Sequence, residues 1–431
     1  MHAKRSRLWV WWICGILFFA SMINYMDRLT LSNCSVPISD ELHLNDEQYG
    51  RMEFSFGMCF AVGAVLWGTI ADHASIRWLY PCVLFFWSAM GFSGSFAQSF
   101  RDLLVCRMLL GFFEGGHFPC ALRTTQGLLP PSNRAFGNSI LQGGLAFGSI
   151  LTPQLIRAMG GDAPGAWRPV FQVIGVLGAV WVVLWLLSVR RGDVDAPPSS
   201  PESIEQGPGI FELMASRRYL ALVVIVVVIN IAWHVFRVWL PKFLERGRGY
   251  SFDTTQNLQT TFSCVAEVGC LGAGFATALL ARRGMSVHGS RTLVFASCGV
   301  IVLAGAAIPW LSAGPLLLAA VLAAGFGAAG MFPCYYAFSQ DLTRTHQGKL
   351  TGSLSFFAWT IPSTWHWCMG MLADATHSYD WGIALGCLMP LLGIAAIFLI
   401  WPREQPSIES SSPTEVPSDA VVPAERVTGI H

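Results

Sequence analysis

The chain carries little charge. Only 12% of its 431 residues are Asp, Glu, Lys or Arg, about half of the roughly 25% that is usual in soluble proteins. The net charge is +1, and no concentrated basic patch accompanies it, as a nucleic-acid-binding surface would need. We therefore expect no nucleic-acid partner.

Cysteine pairs and histidine clusters are also lacking. The 12 cysteines stand singly, without a Cys-x-x-Cys motif, so we expect neither a metal site nor a disulfide framework. A Gly-rich phosphate loop and a nucleophile–base motif are absent as well. We therefore predict that the protein is not an enzyme and needs no cofactor.

Apolar residues, by contrast, make up 53% of the chain. Apolar windows of about 20 residues, the length that crosses a bilayer, predict an all-α membrane protein with twelve transmembrane helices. The first window follows a basic amino end as a signal peptide would, but it is long and lacks a small-residue cleavage site. The predicted spans are 8–36, 50–71, 78–97, 103–124, 136–159, 169–189, 219–243, 257–281, 291–312, 315–339, 350–372 and 380–401.

The spans form two sets of six. We predict an amino-terminal six-helix bundle over 1–189, a polar cytoplasmic linker over 190–218, a carboxy-terminal six-helix bundle over 219–401 and a disordered cytoplasmic tail over 402–431. Paired bundles of this kind hold a solute between them at mid-depth. Lys and Arg are concentrated in the loops on one side, which predicts an inner (plasma) membrane protein with both termini in the cytoplasm.

Ionisable residues interrupt two apolar spans. Asn24-Tyr25-Met26-Asp27-Arg28 lies in the first, and Arg107, Glu114 and His117 follow one another at helical spacing in the fourth. A charge at mid-bilayer costs at least ~2.5–3.5 kcal/mol, so such residues usually face a bundle interior or a water-filled path. We interpret them as a transport path, the alternative being a buried Arg–Glu pair that only fixes helix packing.

An internal repeat relates the two halves. Residues 111–120 (GFFEGGHFPC) match residues 325–334 (GFGAAGMFPC), and Ala328 stands where the first copy has Glu114. One half has therefore kept the acid and the other has lost it.

These motifs, with Trp239-Leu-Pro241-Lys242 and Phe332-Pro333-x-Tyr335-Tyr336, resemble the anion:cation symporter branch of the major facilitator superfamily. Within that branch the chain is similar to bacterial hexuronate and sugar-acid transporters. The resemblance implies a twelve-helix fold with alternating access and the uptake of an organic anion with protons. By matching positions, it makes Asp27 and Glu114 the protonatable pair, and Arg28 and Arg107 the residues that hold the substrate carboxylate.

Gly68-Thr-Ile-Ala-Asp72, with Arg77, matches the superfamily's cytoplasmic gate motif. We expect the Asp72 carboxylate to be satisfied by neighbouring amides and basic side chains, which would lock one conformation. The second half has Ala278 where relatives commonly carry the acid, so a symmetric gate is in doubt.

Further candidates surround the predicted site. His234 and Arg237 share a face of the seventh span, and Arg237 either contacts a di-acid or hexuronate, pairs with Glu267, or snorkels to the surface. We expect His117 to hydrogen-bond to Glu114 rather than to carry a proton itself. Besides the three arginines, the predicted contacts to the substrate are Tyr25, His117, Gln142, His234, Glu267, Tyr336 and Trp359. Glu53 and His366 are left outside the predicted site.

The sequence thus predicts a monomeric secondary transporter in the lipid bilayer, which imports a hexuronate or other sugar acid by proton symport. The alternative is a membrane sensor that keeps the transporter fold and binds organic anions without sustained transport. A sensor would need a partner surface in 190–218 or in the tail, and neither segment is typical of an ordered module.

Overall fold

The computed structural model describes residues 6–129, 131–161, 163–194, 210–342 and 347–401. Most of the predicted linker and the whole predicted tail lie outside these ranges. The described residues form α-helices with no strand among them, together with a π-helical turn over Phe243–Gly247 and a 3₁₀ segment over Leu303–Trp310. The helices are α1 Arg7–Asn33, α2 Ser35–Glu41, α3 Asp46–His73, α4 Ile76–Gly94, α5 Phe100–Glu114, α6 His117–Leu128, α7 Pro131–Ala158, α8 Trp167–Ser188, α9 Ile210–Met214, α10 Arg217–Lys242, α11 Phe252–Arg282, α12 Val287–Val302, α13 Pro315–Leu342, α14 Gln347–Thr376, α15 Asp380–Leu388 and α16 Pro390–Leu399.

The helix starts follow from local chemistry. Ser6, Ser99, Ser216 and Ser251 each accept a hydrogen bond from a main-chain N–H in the first turn of their helix, which satisfies a donor that the helix itself leaves free. Asn45 and Gln48 form a reciprocal capping box at the start of α3.

Every predicted span coincides with a described helix or with two consecutive helical segments. Among the described residues, eight helical stretches are long and apolar enough to cross a membrane. The four other predicted spans correspond to α4, to α5 with α6, to α7 and to α14.

The fourth predicted span is not one continuous helix. It is divided at Gly115 and Gly116 into α5 and α6, where the chain passes very close to its neighbours. A Cβ atom on Gly115 would lie 2.6 Å from the main-chain nitrogen of Ala64, and one on Gly116 would lie 2.8 Å from Val83. Glu114 therefore ends one helix and His117 begins the next.

Helices of the two halves pack into separate groups. In the first half α1 packs against α7, α3 against α5 and α4 against α8, and in the second α13 packs against α11 and α12. The halves meet along α3 with α14 and along α7 with α11. Gly50 and Gly57 of α3 allow the first of these contacts, since side chains there would collide with the main chain of His366 and with Ser363.

We call the end that holds Arg7 and Trp401 the proximal end, and the opposite end the distal end. At the distal end α2 and α3 are joined to the end of α10, to the π-helical turn that follows it and to Tyr379, the residue before α15. Lys242 donates to Asp46 at 2.5 Å, Tyr379 donates to the same carboxylate at 2.7 Å, and Arg246 pairs with Asp40. We call this set of contacts between the halves the distal seam.

Candidate functional site

The predicted cation and acid of the first half meet directly. Arg28 of α1 donates through Nε to Oε1 of Glu114 at the end of α5, and both side chains are buried. Aromatic rings line the pair, with the guanidinium carbon 4.7 Å from the Phe60 ring centre and 5.0 Å from that of Trp359. Arg28 Nη2 and Glu114 Oε2 have no hydrogen-bond partner among the described residues. Each member of the pair thus keeps one free polar atom.

Glu53 of α3, which was not among the predicted site residues, lies between two arginines. Arg107 Nη2 donates to its Oε1 at 2.9 Å, and Arg237 Nη2 donates to its Oε2 at 3.3 Å. All three side chains are at most 5% exposed. Because Arg237 belongs to α10, this triad joins the two halves, and it lies on the site side of the distal seam.

The structure separates the alternatives that were open for Arg237. Pairing with Glu267 and snorkelling to the surface are both wrong, since Arg237 is buried against Glu53. Contact with a substrate stays a prediction. Glu267, on α11, is half-buried and lies outside the triad.

A signal for Glu53 was present in the sequence. Arginines 28, 107 and 237 lie inside predicted apolar spans rather than at their ends, and buried cations need acids to balance them. Glu53 lies seven residues after Asp46, which puts both on one face of α3. That face is the one that meets α10, because Asp46 binds Lys242 and Tyr49 donates to the Val238 carbonyl at 2.9 Å.

Asp27 points away from Arg28. Its Oδ1 lies against α4, where a Cβ atom on Gly91 would be 2.9 Å from it. Oδ2 has no partner among the described residues, and the contact from Arg107 reaches the Asp27 main-chain carbonyl, at 3.5 Å. Adjacent helical residues diverge by about 100°, so the two predicted residues face different neighbours.

His117 does not bind Glu114, and that prediction is wrong. Its Nε2 lies 3.1 Å from Ser21 Oγ and its Nδ1 lies 2.9 Å from the Tyr80 hydroxyl, so both ring nitrogens are occupied. The helix break at 115–116 turns the ring towards α1 and α4. His117 therefore ties α6 to these helices.

His234 of α10 stacks on His366 of α14, which also was not among the predicted site residues. The ring centres are 5.9 Å apart and the planes differ by 10°. Trp239 donates to His366 Nδ1 at 3.3 Å. His234 Nδ1 and His366 Nε2 have no partner in the described part of the chain. Trp359 packs against His234, with ring centres 5.3 Å apart.

The remaining candidates differ in how far they are buried. Tyr25 is half-buried beside Gly148 of α7, Gln142 is exposed on α7, and Tyr336 is 46% exposed on α13.

At the proximal end the predicted gate residues occupy the end of α3 and the start of α4. A Cβ atom on Gly68 would lie 3.7 Å from Cγ of Pro119. Asp72 is 64% exposed and pairs with Arg123 at 3.9 Å. Arg77 instead packs over the Trp78 ring. The cation that faces Asp72 is thus Arg123 rather than Arg77.

Comparison with known proteins agrees with this architecture. The Major Facilitator Superfamily profile matches residues 17–365. The hexuronate transporter of Bacillus subtilis (strain 168) is 24% identical over 90% of this chain and 93% of its own. The probable galactarate/D-glucarate transporter of the same organism is 25% identical, over 86% and 87%. A solved bacterial homolog of the human lysosomal transporter Spinster superposes with a TM-score of 0.72 at 17% identity, covering 91% of this chain and 96% of that one. The predicted fold class, twelve helices in two six-helix bundles, is confirmed.

Proposed function

Because the chain belongs to the Major Facilitator Superfamily, we propose that it is a secondary active transporter that takes up a sugar acid by proton symport. The names of the similar transporters support the substrate class, since one is named for hexuronate and the other for galactarate/D-glucarate. The observation that carries the proposal is the buried pair of Arg28 and Glu114, in which each partner keeps one free polar atom.

The pair couples the substrate to a proton by competition. Arg28 can bind a substrate carboxylate with both arms of its guanidinium, and that anion competes with Glu114 for the single positive charge. A buried carboxylate without a counter-ion is costly, so Glu114 then takes up a proton. Binding of the anion and of the proton therefore favour one another.

Asp27 is the second proton site. It makes no ion pair among the described residues and lies against α4, so it carries a proton more readily than a charge when water is excluded. Arg107, proposed from the family resemblance as a carboxylate ligand, already holds Glu53 and has only its Nε free. Arg28 is thus the principal ligand of the substrate carboxylate.

Transport proceeds by alternating access. In this proposal the proximal end faces the cytoplasm and the distal seam faces the outside, where its contacts hold the two halves together. Gly68, Asp72 and Arg77, joined by Arg123, form the gate that closes the proximal end in the opposite state. The protein works as a monomer, because both halves of the site lie in one chain.

Uptake by proteoliposomes tests the proposal. We expect the purified protein to accumulate labelled galacturonate, galactonate or galactarate when a proton gradient is imposed. Glu114→Gln should lose this gradient-driven accumulation yet keep substrate exchange, while Glu212→Gln, on exposed α9, should behave as wild type. Full accumulation by Glu114→Gln, with its dependence on the gradient intact, would refute the role of Glu114. Binding without exchange by the wild type would instead favour the sensor.

A further inference from the structure

A second polar cluster lies across the site from Arg28. It consists of His234, His366 and Arg237, which are 6%, 1% and 5% exposed. Four of their nitrogen atoms lack a partner among the described residues: His234 Nδ1, His366 Nε2, and Arg237 Nε and Nη1. Buried polar atoms are nearly always hydrogen-bonded in folded proteins, so this many free nitrogens in one place indicate a ligand site.

The hydrogen bonding of His366 shows what it offers. An indole N–H can only donate, so the bond from Trp239 makes His366 Nδ1 an acceptor. In the neutral ring the proton then lies on Nε2, which is the free atom. His366 therefore presents a buried N–H donor, and Arg237 adds two more. Such a cluster suits an anionic acceptor.

The two donor groups are separated by a single aromatic side chain. Trp359 contacts both, with its ring centre 5.0 Å from the Arg28 guanidinium carbon and 5.3 Å from the His234 ring centre. These distances place Arg28 and His234 at most about 10 Å apart. A ligand with acceptors at both ends of a six-carbon chain can reach both groups along Trp359.

The charge balance of the network points the same way. Within the described residues it contains the arginines 28, 107 and 237 and the carboxylates of Asp27, Glu53 and Glu114. With protons on Asp27 and Glu114, as in the proposed mechanism, only Glu53 opposes the three cations. A mono-acid would leave a buried positive charge uncompensated, which is costly in a low-dielectric site, whereas a di-anion neutralises the network.

We propose that the substrate is a six-carbon sugar di-acid. One carboxylate binds Arg28, and the other binds the cluster of His234, His366 and Arg237. This inference rests on the proposed function and narrows its substrate class from sugar acids in general to di-acids.

Three acids of the same galacto configuration test it: galactarate and galactonate, which are open chains, and galacturonate, which is a ring. Their affinities are measured by competition for binding to the purified protein. We expect galactarate to bind at least about tenfold more tightly than either mono-acid, since hydrogen bonds to a charged group contribute at this level. Equal or tighter binding of a mono-acid overturns the inference and leaves the proposed function intact. If none of the three binds or is exchanged, the proposed function itself fails.

Two variants locate the second carboxylate. His366→Phe and His234→Phe should each weaken galactarate binding about tenfold and change mono-acid binding less than about twofold. His73→Phe, at the exposed end of α3, serves as the matched control, and thermal unfolding of each variant shows whether it is folded. Equal losses for di-acid and mono-acids in both folded variants would assign the histidines a general structural role and overturn the inference.

Discussion

Replacing Glu53 with Gln should cost the protein a large part of its stability. Glu53 is the only partner that the structure gives to Arg237 among the described residues, and it also holds Arg107, at 3.3 and 2.9 Å. The neutral amide is close in shape but cannot compensate two cations, and its NH₂ group would face one of the guanidinium groups. Breaking a buried pair by removing one partner costs about 3–5 kcal/mol, because a charge is left uncompensated.

The free energy of unfolding, measured in mixed micelles, gives the comparison. Asp253→Asn is the matched control, since it also removes one acid from a contact between the halves. Its ion pair with Arg157 is 3.6 Å long and its side chains are 44% and 73% exposed, so its loss should cost about 0–1 kcal/mol. Glu53→Gln combined with Arg237→Met should recover part of the loss, because one unpaired charge is removed. A cost for Glu53→Gln no larger than that of the control would refute the reasoning.

Three smaller predictions concern the contacts between helices. Gly50→Ala should destabilise the contact of α3 with α14 by about 1–3 kcal/mol, because the added methyl group overcrowds it. Gly15→Ala should not, since nothing lies within 4 Å of its Cβ position. Thermal unfolding of the two variants gives the comparison. Tyr49→Phe should cost about 0.5–1.5 kcal/mol in the same assay, since it removes the hydrogen bond from α3 to a main-chain carbonyl of α10. Burial raises the pKa of Glu41, but hydrogen bonds from Arg168 and from an indole outweigh burial and hold that pKa below its ordinary 4.5. Its stabilising contribution is therefore present above pH 4.5 and is lost as the pH falls through the lower, folded-state pKa, so the stability difference between wild type and Glu41→Gln should shrink on acidification.

The spans could be predicted from the sequence because a membrane helix is defined by its own composition. Low charge and apolar windows of the right length depend on no distant residue. The break at Gly115 and Gly116 could not be predicted in the same way. A glycine pair is common in membrane helices, and here the interruption accompanies close approaches to α3 and α4, which are distant in the sequence.

The site was partly predictable for the same physical reason. Arg28 and Glu114 attracted attention because a charge in an apolar span needs a partner, and the structure pairs them. Which partner each charge takes is decided by packing between helices. Glu53 and Arg237 are 184 residues apart in the chain, and no local pattern connects them, so their contact could only be found in three dimensions.

The distal seam changes character with depth. Its outermost ion pair, Arg246 with Asp40, is 31% and 66% exposed, the next, Lys242 with Asp46, is 0% and 13% exposed, and the triad at Glu53 is almost completely buried. Dissolved salt screens charges that water reaches and leaves buried ones nearly untouched. Opening of the distal end should therefore proceed in unequal steps, and the ionic strength of the medium should affect the rate of the first. The last step depends only on what occupies the site. The medium can therefore speed the start of the separation of the two halves but cannot complete it.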